Sequence, residues 1–361
     1  MPTPAGPVFY KPGAAGMEDS YRFLANVLTG SPDRALDLSA GVGLVSLRLK
    51  KLGAEVLAIE DKKSSCRALQ KTAESAGIKA ACSLPWEIDA GQFDLATIRL
   101  EAERGNEWVH QQLLAAAKSL KPDGNLWISG SKKAGFTRYL QWSEELLGSK
   151  AKIFKQGDLR AATLTKKSTT GDAAAEPEFT IIRDNLRGHE LSFYTLPGVF
   201  SATEIDPASK LLLKYLPRSL QGSRILDIGA GYGAISLPLA VEGASVTLLE
   251  QSLAAVKSAK ASFASAGLEA SIHHSDVDES LRANDYFDIV VTNPPFHVGG
   301  GIVLEVAEAF VAAAFNHLRP GGQFYLVANP FLKYERWMSD LFGNVQILHS
   351  GRYKVLQSSK P

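Results

Sequence analysis

Two tandem α/β units, each a doubly wound and mostly parallel sheet, are what the sequence predicts, and three observations carry that expectation. The segment Ala35 to Ala80 aligns without a gap on Ile225 to Ala270, an offset of 190 residues at which 16 of 46 positions are identical. Each segment reads as an apolar strand, a glycine-rich turn, a helix, and a second apolar strand closed by an acid, Glu60 or Glu250. A chain of 361 residues also has room for two domains of about 150–180 residues, each able to bury a core. The chain is therefore read as an internal duplication of one domain-sized unit.

Taken in order, Met1 to Gly13 is rich in Pro and Gly and lacks the apolar stretch of a signal peptide. The first copy spans 1–165: Asp37 falls on Asp227, Gly41 and Gly43 on Gly231 and Gly233, and Gly53-Ala54 on Gly243-Ala244. Phe93-Asp94 then matches Phe287-Asp288, and Lys121-Pro122-Asp123-Gly124 matches Arg319-Pro320-Gly321-Gly322. Residues 166–178, small and polar without periodicity, form the expected linker. Phe179 to Ile182 and Leu191 to Tyr194 flank Arg187-Gly188-His189 and predict a hairpin that opens the second copy, 179–361. Thr203 to Pro207 opens a helix through Leu211-Leu212-Leu213.

Composition is that of a soluble globular protein, 45% apolar and 21% charged, with no apolar run long enough to span a bilayer. The cytoplasm is the expected compartment. Only two cysteines occur, Cys66 and Cys82, and their spacing supports neither a disulfide framework nor a zinc site; no metal is expected. A net charge of +1 conceals an asymmetry: residues 1–170 carry +6 and residues 171–361 carry −5. The whole excess sits in 131–167, where nine basic residues, among them Lys132, Lys133, Lys152 and Lys155, face three acids. Such a segment suits phosphate contacts that position RNA, or is simply a solvated surface.

The chemistry concentrates in the second copy. Ile225-Leu226-Asp227-Ile228-Gly229-Ala230-Gly231-Tyr232-Gly233 gives a turn whose glycines let backbone pass close to a ligand. Glu250 stands where a carboxylate accepts both ribose hydroxyls of a nucleoside, with Gln251 beside it, and Asp227 where it can hold an amino group. Asp276-Val277, after a third strand, could meet the adenine amine. The fourth strand, Phe287 to Thr292, runs into Asn293-Pro294-Pro295-Phe296-His297. Neither proline can continue a ladder, which leaves a stiff loop with one amide, exposed carbonyls and an aromatic ring. Asn293 and the Pro294 carbonyl can accept the two hydrogens of a planar amine while Phe296 stacks on its ring. His297 is read as a loop or substrate contact rather than a general base. The first copy keeps Asp37, Gly41, Gly43 and Glu60, but has Ser39 for Gly229 and Arg99-Leu100-Glu101-Ala102 for Asn293 to Phe296. It is read as having kept the fold and lost the chemistry, with a vestigial nucleoside pocket as the other reading.

Residues 190–361 resemble the catalytic domain of class I S-adenosylmethionine-dependent methyltransferases, within them the ribosomal RNA guanine-N2 methyltransferases. The resemblance rests on Tyr194-Thr195-Leu196-Pro197-Gly198-Val199-Phe200-Ser201, the glycine turn, Asn293 to His297, Leu326-Val327-Ala328-Asn329, and Gly351-Arg352-Tyr353-Lys354-Val355. The last of these favours the small-subunit enzymes over the large-subunit ones. The resemblance implies two Rossmann-like methyltransferase domains, the first degenerate. Asp227, Gly229, Gly231, Gly233, Glu250, Gln251, Asp276, Val277 and Asn293 become contacts to S-adenosylmethionine, with S-adenosylhomocysteine as product. Asn293 to Phe296 become the target-base clamp, and Phe200 and His297 substrate contacts. The expected activity is N2 methylation of a guanine in 16S ribosomal RNA by a monomer acting on ribosomal RNA, the small subunit or an assembly intermediate. Guanine methylation in 23S ribosomal RNA, N6-adenine or glutamine methylation through the same clamp, a nicotinamide oxidoreductase, and a non-enzymatic RNA-binding protein stay open at this level.

Overall fold

The computed structural model describes residues 2–3, 6–11, 13–167, 176–295 and 302–361. The chain divides into two compact units, Met1–Glu178 and Phe179–Pro361. Most of the linker, 168–175, and the Phe296 and His297 of the clamp lie outside the described residues.

The first unit begins with a two-residue ladder, β1 (Pro2–Thr3) on β2 (Gly6–Pro7), and helix α1 (Asp19–Val27). Its sheet is built from β3 (Arg34–Asp37), β4 (Glu55–Glu60), β5 (Lys79–Cys82), β6 (Phe93–Arg99), β7 (Leu120–Ser131), β8 (Lys152–Gln156) and β9 (Leu159–Thr165). The order is β5-β4-β3-β6-β7-β9-β8, parallel except for the last two pairings. Helices α2 (Leu44–Lys51), α3 (Lys63–Ala76), α4 (Asn106–Ser119) and α5 (Phe136–Leu147) connect the strands.

Strand residues are apolar almost continuously because both faces are covered. Ala35, Ala58 and Leu95 pack into one core with Tyr21, Leu44 and Leu69; their neighbours Leu36, Ile59 and Ala96 pack into another with Val109, Leu113 and Phe136. A one-residue step thus exchanges one helix layer for the other, as the pleat requires. Each fully buried Leu contributes about 1.5–3 kcal/mol of burial.

The second unit opens with the hairpin β10 (Thr180–Leu186) and β11 (His189–Thr195), turning at Arg187-Gly188 with both φ positive. Its sheet repeats the first: β12 (Arg224–Ile228), β13 (Ser245–Glu250), β14 (Ser271–His274), β15 (Phe287–Thr292), β16 (Leu318–Ala328), β17 (Gln346–Ser350) and β18 (Lys354–Ser359), in the order β14-β13-β12-β15-β16-β18-β17. Its helices are α6 (Pro207–Tyr215), α7 (Ser236–Val241), α8 (Leu253–Ser265), α9 (Ile302–His317) and α10 (Tyr334–Phe342). The duplication extends to single bonds. Asp94 accepts from the Arg34 amide at 2.8 Å, and Asp288 from the Arg224 amide at 2.7 Å.

One expectation is corrected. Cys66 and Cys82 form a disulfide, with Cα atoms 5.7 Å apart. The 16-residue separation carries no pairing signal of its own. The pair forms because the chain reverses at Gly77 after α3, which returns β5 alongside the helix that bears Cys66.

Candidate active site

The carboxyl edge of the second sheet gathers the predicted residues. Asp227 is the penultimate residue of β12, buried at 1% exposure, with Oδ2 accepting from Ser236 Oγ at 2.6 Å. Its Oδ1 is buried without a hydrogen-bond partner among the described residues. Burial pushes this carboxyl up to about 7 against the Ser236 bond, and the nearby Glu250 charge pushes the same way. The turn that follows needs left-handed backbone at Gly229, Gly231 and Gly233. A Cβ on Gly229 would come within 3.0 Å of the Phe310 ring, whereas one on Gly231 would meet open space. That opening makes the turn a cradle.

Glu250 closes β13 and accepts from the Gly231 amide at 2.9 Å and the Ser252 amide at 2.8 Å, which fixes the carboxylate at the cradle's rim. Gln251 follows, its carbonyl held by His274 Nε2 at 2.7 Å. Asp276 and Val277 lie in the turn after β14, Val277 with φ of 52°. The connection from β11 to α6 crosses the glycine turn. Phe193 packs edge-on against Tyr232 at 5.8 Å, and Tyr232 Oη donates to the Glu204 carbonyl. The amides of Tyr194 and Leu196 bond to Ser262 and Ser258 of α8, while Phe200 projects at 66% exposure.

Asn293 follows β15, parallel to and paired with β12, so its side chain shares an edge with Asp227. Its Nδ2 donates to Asp206 Oδ2 at 2.8 Å and Ser209 Oγ at 2.9 Å; its Oδ1 is buried without a hydrogen-bond partner among the described residues. Asp206 and Ser209 were not singled out from the sequence as site residues. An Asp before a Pro at a helix start already has a sufficient reason to be there, as an N-cap, and it serves as one. Lys132, Lys133, Lys152 and Lys155 are exposed and belong to the first unit. Among the described residues there is no cluster of His, Cys, Asp or Glu able to hold a metal, and no helix long and apolar enough to cross a membrane.

The first copy builds the same positions differently. Ser46 still donates to Asp37 Oδ2 at 2.6 Å and Glu60 still accepts from the Gly41 amide at 2.9 Å. Asp37 Oδ1, however, is taken by Thr97 Oγ1 at 3.0 Å. Val291 stands at the Thr97 position in the second copy and offers no donor. A Cβ on Gly41 would strike Gly16 Cα at 2.5 Å and the Ala15 carbonyl at 2.7 Å, because the N-terminal segment lies on the turn. Ser39 Oγ accepts from the Arg99 amide at 2.7 Å. Where the second copy has its proline clamp, Glu101 is buried among Lys62, Arg104, Trp108 and Gln112, with Arg104 also on Asp61. Although burial opposes it, these cations hold the Glu101 carboxyl well below its usual range. The cleft has become core.

An open glycine cradle, a rim carboxylate, an unsatisfied acid beneath it and an Asn-Pro-Pro loop at the carboxyl edge define a class I methyltransferase. The Methyltransferase small domain family model matches residues 190–357. The chain is 32% identical over 248 residues to the ribosomal RNA small subunit methyltransferase C of Salmonella typhimurium, covering 66% of this chain and 69% of that one. With the same protein of Klebsiella pneumoniae it shares 33% over 255 residues, 68% and 70% of the two chains. The T. thermophilus 16S rRNA N2 G1207 methyltransferase, solved with AdoMet and guanosine, superimposes with a TM-score of 0.93 at 42% identity, covering 100% of this chain and 97% of that one. The chain belongs to the ribosomal RNA small subunit methyltransferase C family.

Proposed function

We propose that the protein transfers a methyl group from S-adenosylmethionine to N2 of a guanine in 16S ribosomal RNA, the counterpart of G1207 of the T. thermophilus relative. One observation carries the reading: two buried acceptors with no partner among the described residues, Asp227 Oδ1 and Asn293 Oδ1, lie at the carboxyl ends of paired neighbouring strands beside an open glycine cradle. Buried polar atoms are seldom left unpaired unless a ligand completes them. The residues fit the cofactor. Asp227 would take its amino group, Glu250 its ribose hydroxyls, Asp276 and Val277 its adenine, with Gly229, Gly231 and Gly233 against its backbone-facing side.

When bound, the cofactor supplies an electrophilic methyl on a sulfonium, so the protein's task is alignment. Asn293 Oδ1 and the Pro294 carbonyl accept the two N2 hydrogens, which draws the amine toward a pyramidal shape and aims its lone pair. Pro295 stiffens the loop, and Phe296 supplies the stacking face. The proton leaves after transfer, when the amine is strongly acidic, and no dedicated base is required. The guanine must be unstacked first; Phe200, which is exposed, and His297, which follows the clamp in sequence, are the residues assigned to meet it or its neighbours. In the first unit, Lys155 pairs with Arg160 across β8 and β9, and Lys132 donates its amide to Asp158 beside them. With Lys133, and with Lys152 farther along β8, they make a basic edge suited to RNA phosphates. We assign one site per chain to a monomer acting on ribosomal RNA or the small subunit.

The test is to map 2-methylguanosine in 16S ribosomal RNA from cells lacking the protein, then complement them. Wild type should restore the single missing mark and Asn293→Ala should not, while its cofactor affinity stays within a few-fold. An unchanged modification map would remove the reading.

A further inference from the structure

Asn293 can read an amine only if its amide is the right way round, and the amide's two ends differ little in shape. Asp206 settles the matter chemically. It is 7% exposed at the start of α6, and its Oδ2 accepts from the Ser209 amide at 2.9 Å and from Ser209 Oγ at 3.3 Å. A carboxylate accepts and cannot donate. The end of Asn293 that faces it must therefore be the NH2 group, as the 2.8 Å contact has it. The second Nδ2 hydrogen goes to Ser209 Oγ at 2.9 Å, and that hydroxyl passes its own proton on to Asp206. Both donors of the amide are used, and a turn of the side chain would set Oδ1 against a carboxylate. Oδ1 is left as the one polar end that nothing in the described structure completes.

We propose that Asp206 and Ser209 are positioning residues of the methyl transfer, locking the Asn293 amide so that it presents an acceptor alone to the incoming base. The inference rests on the guanine-N2 reading above. It also gives that reading a selection rule. A donor such as an exocyclic amine is accepted at Asn293, whereas a keto oxygen brought to the same place meets a second acceptor and is turned away.

The experiment uses the full-length protein, S-adenosylmethionine, and small subunits from cells lacking the enzyme. Asp206→Ala should lower kcat by about 100-fold, the effect of a misplaced reacting group, with calorimetric affinity for S-adenosylmethionine nearly unchanged. Ser209→Ala, which leaves the helix cap in place, should lower kcat in the same direction by a smaller factor. Asp206→Asn, whose Oδ1 can take the same hydrogens, should recover most of the loss. The reciprocal pair is decisive. Asn293→Asp sets two carboxylates together and should be inactive, while N293D/D206N restores an amide facing a carboxylate and should exceed N293D by at least tenfold. If D206A keeps wild-type kcat, or N293D/D206N is no better than N293D, the locking role is wrong. Those outcomes differ from failure of the underlying reading, in which wild type itself would put no methyl on guanine N2.

Discussion

Asp37 and Asp227 occupy the same place in two copies of one strand and accept the same serine bond, yet one is complete and the other is not. The difference is Thr97 against Val291, a hydroxyl against a methyl. Val291→Thr should fill Asp227 Oδ1 from within. A hydrogen bond to a charged group is worth about 1.5–3 kcal/mol, so S-adenosylmethionine should bind roughly ten- to a hundredfold more weakly, as calorimetry would read. Proton linkage gives a second prediction. The Asp227 carboxyl titrates near 7 in the free protein, and its charged form is the one that suits an amino group. Cofactor affinity should rise roughly tenfold per pH unit up to about 7 and then level, with proton release on binding below that point. For folding the sign is opposite. An acid raised from 3.8 to about 7 contributes stability that is present below the lower value and lost as pH climbs through the upper one. Asp227, Glu250 and Asn293 could be picked out as candidates from the sequence because each lies at or just past the carboxyl end of an apolar strand in a spaced pattern. Asp206 and Ser209 were not, since their spacing is that of any capped helix.

At the scale of elements, the two glycine turns predict opposite results from one substitution. Gly231→Arg meets only backbone strain at φ of 58°, about 1–2 kcal/mol, but fills the cradle; it should abolish cofactor binding in a folded protein. Gly41→Arg collides with Gly16 and Ala15, so it should lower the melting temperature and leave S-adenosylmethionine affinity nearly unchanged. Loss of binding through Gly41 would contradict the asymmetry. The strand-turn-helix succession, both sheets and the hairpin could be read from periodicity and turn residues, because those signals are local. The filling of the first cleft could not. Its parts come from residues 15–16, 39, 61–62, 97 and 101–104, brought together only by the fold. The Cys66–Cys82 bond escaped for the same reason.

Across the whole chain, chemistry and charge are assigned to different halves. Titration should find one S-adenosylmethionine per chain, and two equivalent sites would overturn the account of the first copy. Reversing the charge of Lys132, Lys133, Lys152 and Lys155 should weaken RNA binding and flatten its salt dependence by up to ~0.9 log units per lost phosphate contact on a duplex. Cofactor affinity should not respond. A fragment of residues 179–361, a compact unit with its own core, should bind cofactor yet methylate ribosomal substrate poorly. Full activity of that fragment would return the basic edge to an ordinary solvated surface.

The packed cleft of the first copy also sets a direction in time. Restoring a ligand site there would require removing the Ala15–Gly16 cover, the Thr97 hydroxyl and the Glu101–Lys62–Arg104–Asp61 cluster. No single reversal gains function, and withdrawing one ion from a buried cluster costs about 3–5 kcal/mol by stranding its partners. That is a large share of the roughly 5–15 kcal/mol that holds a domain folded. On the reading proposed above, the loss of the first site works as a ratchet: each step that fills the cleft makes the return path less viable.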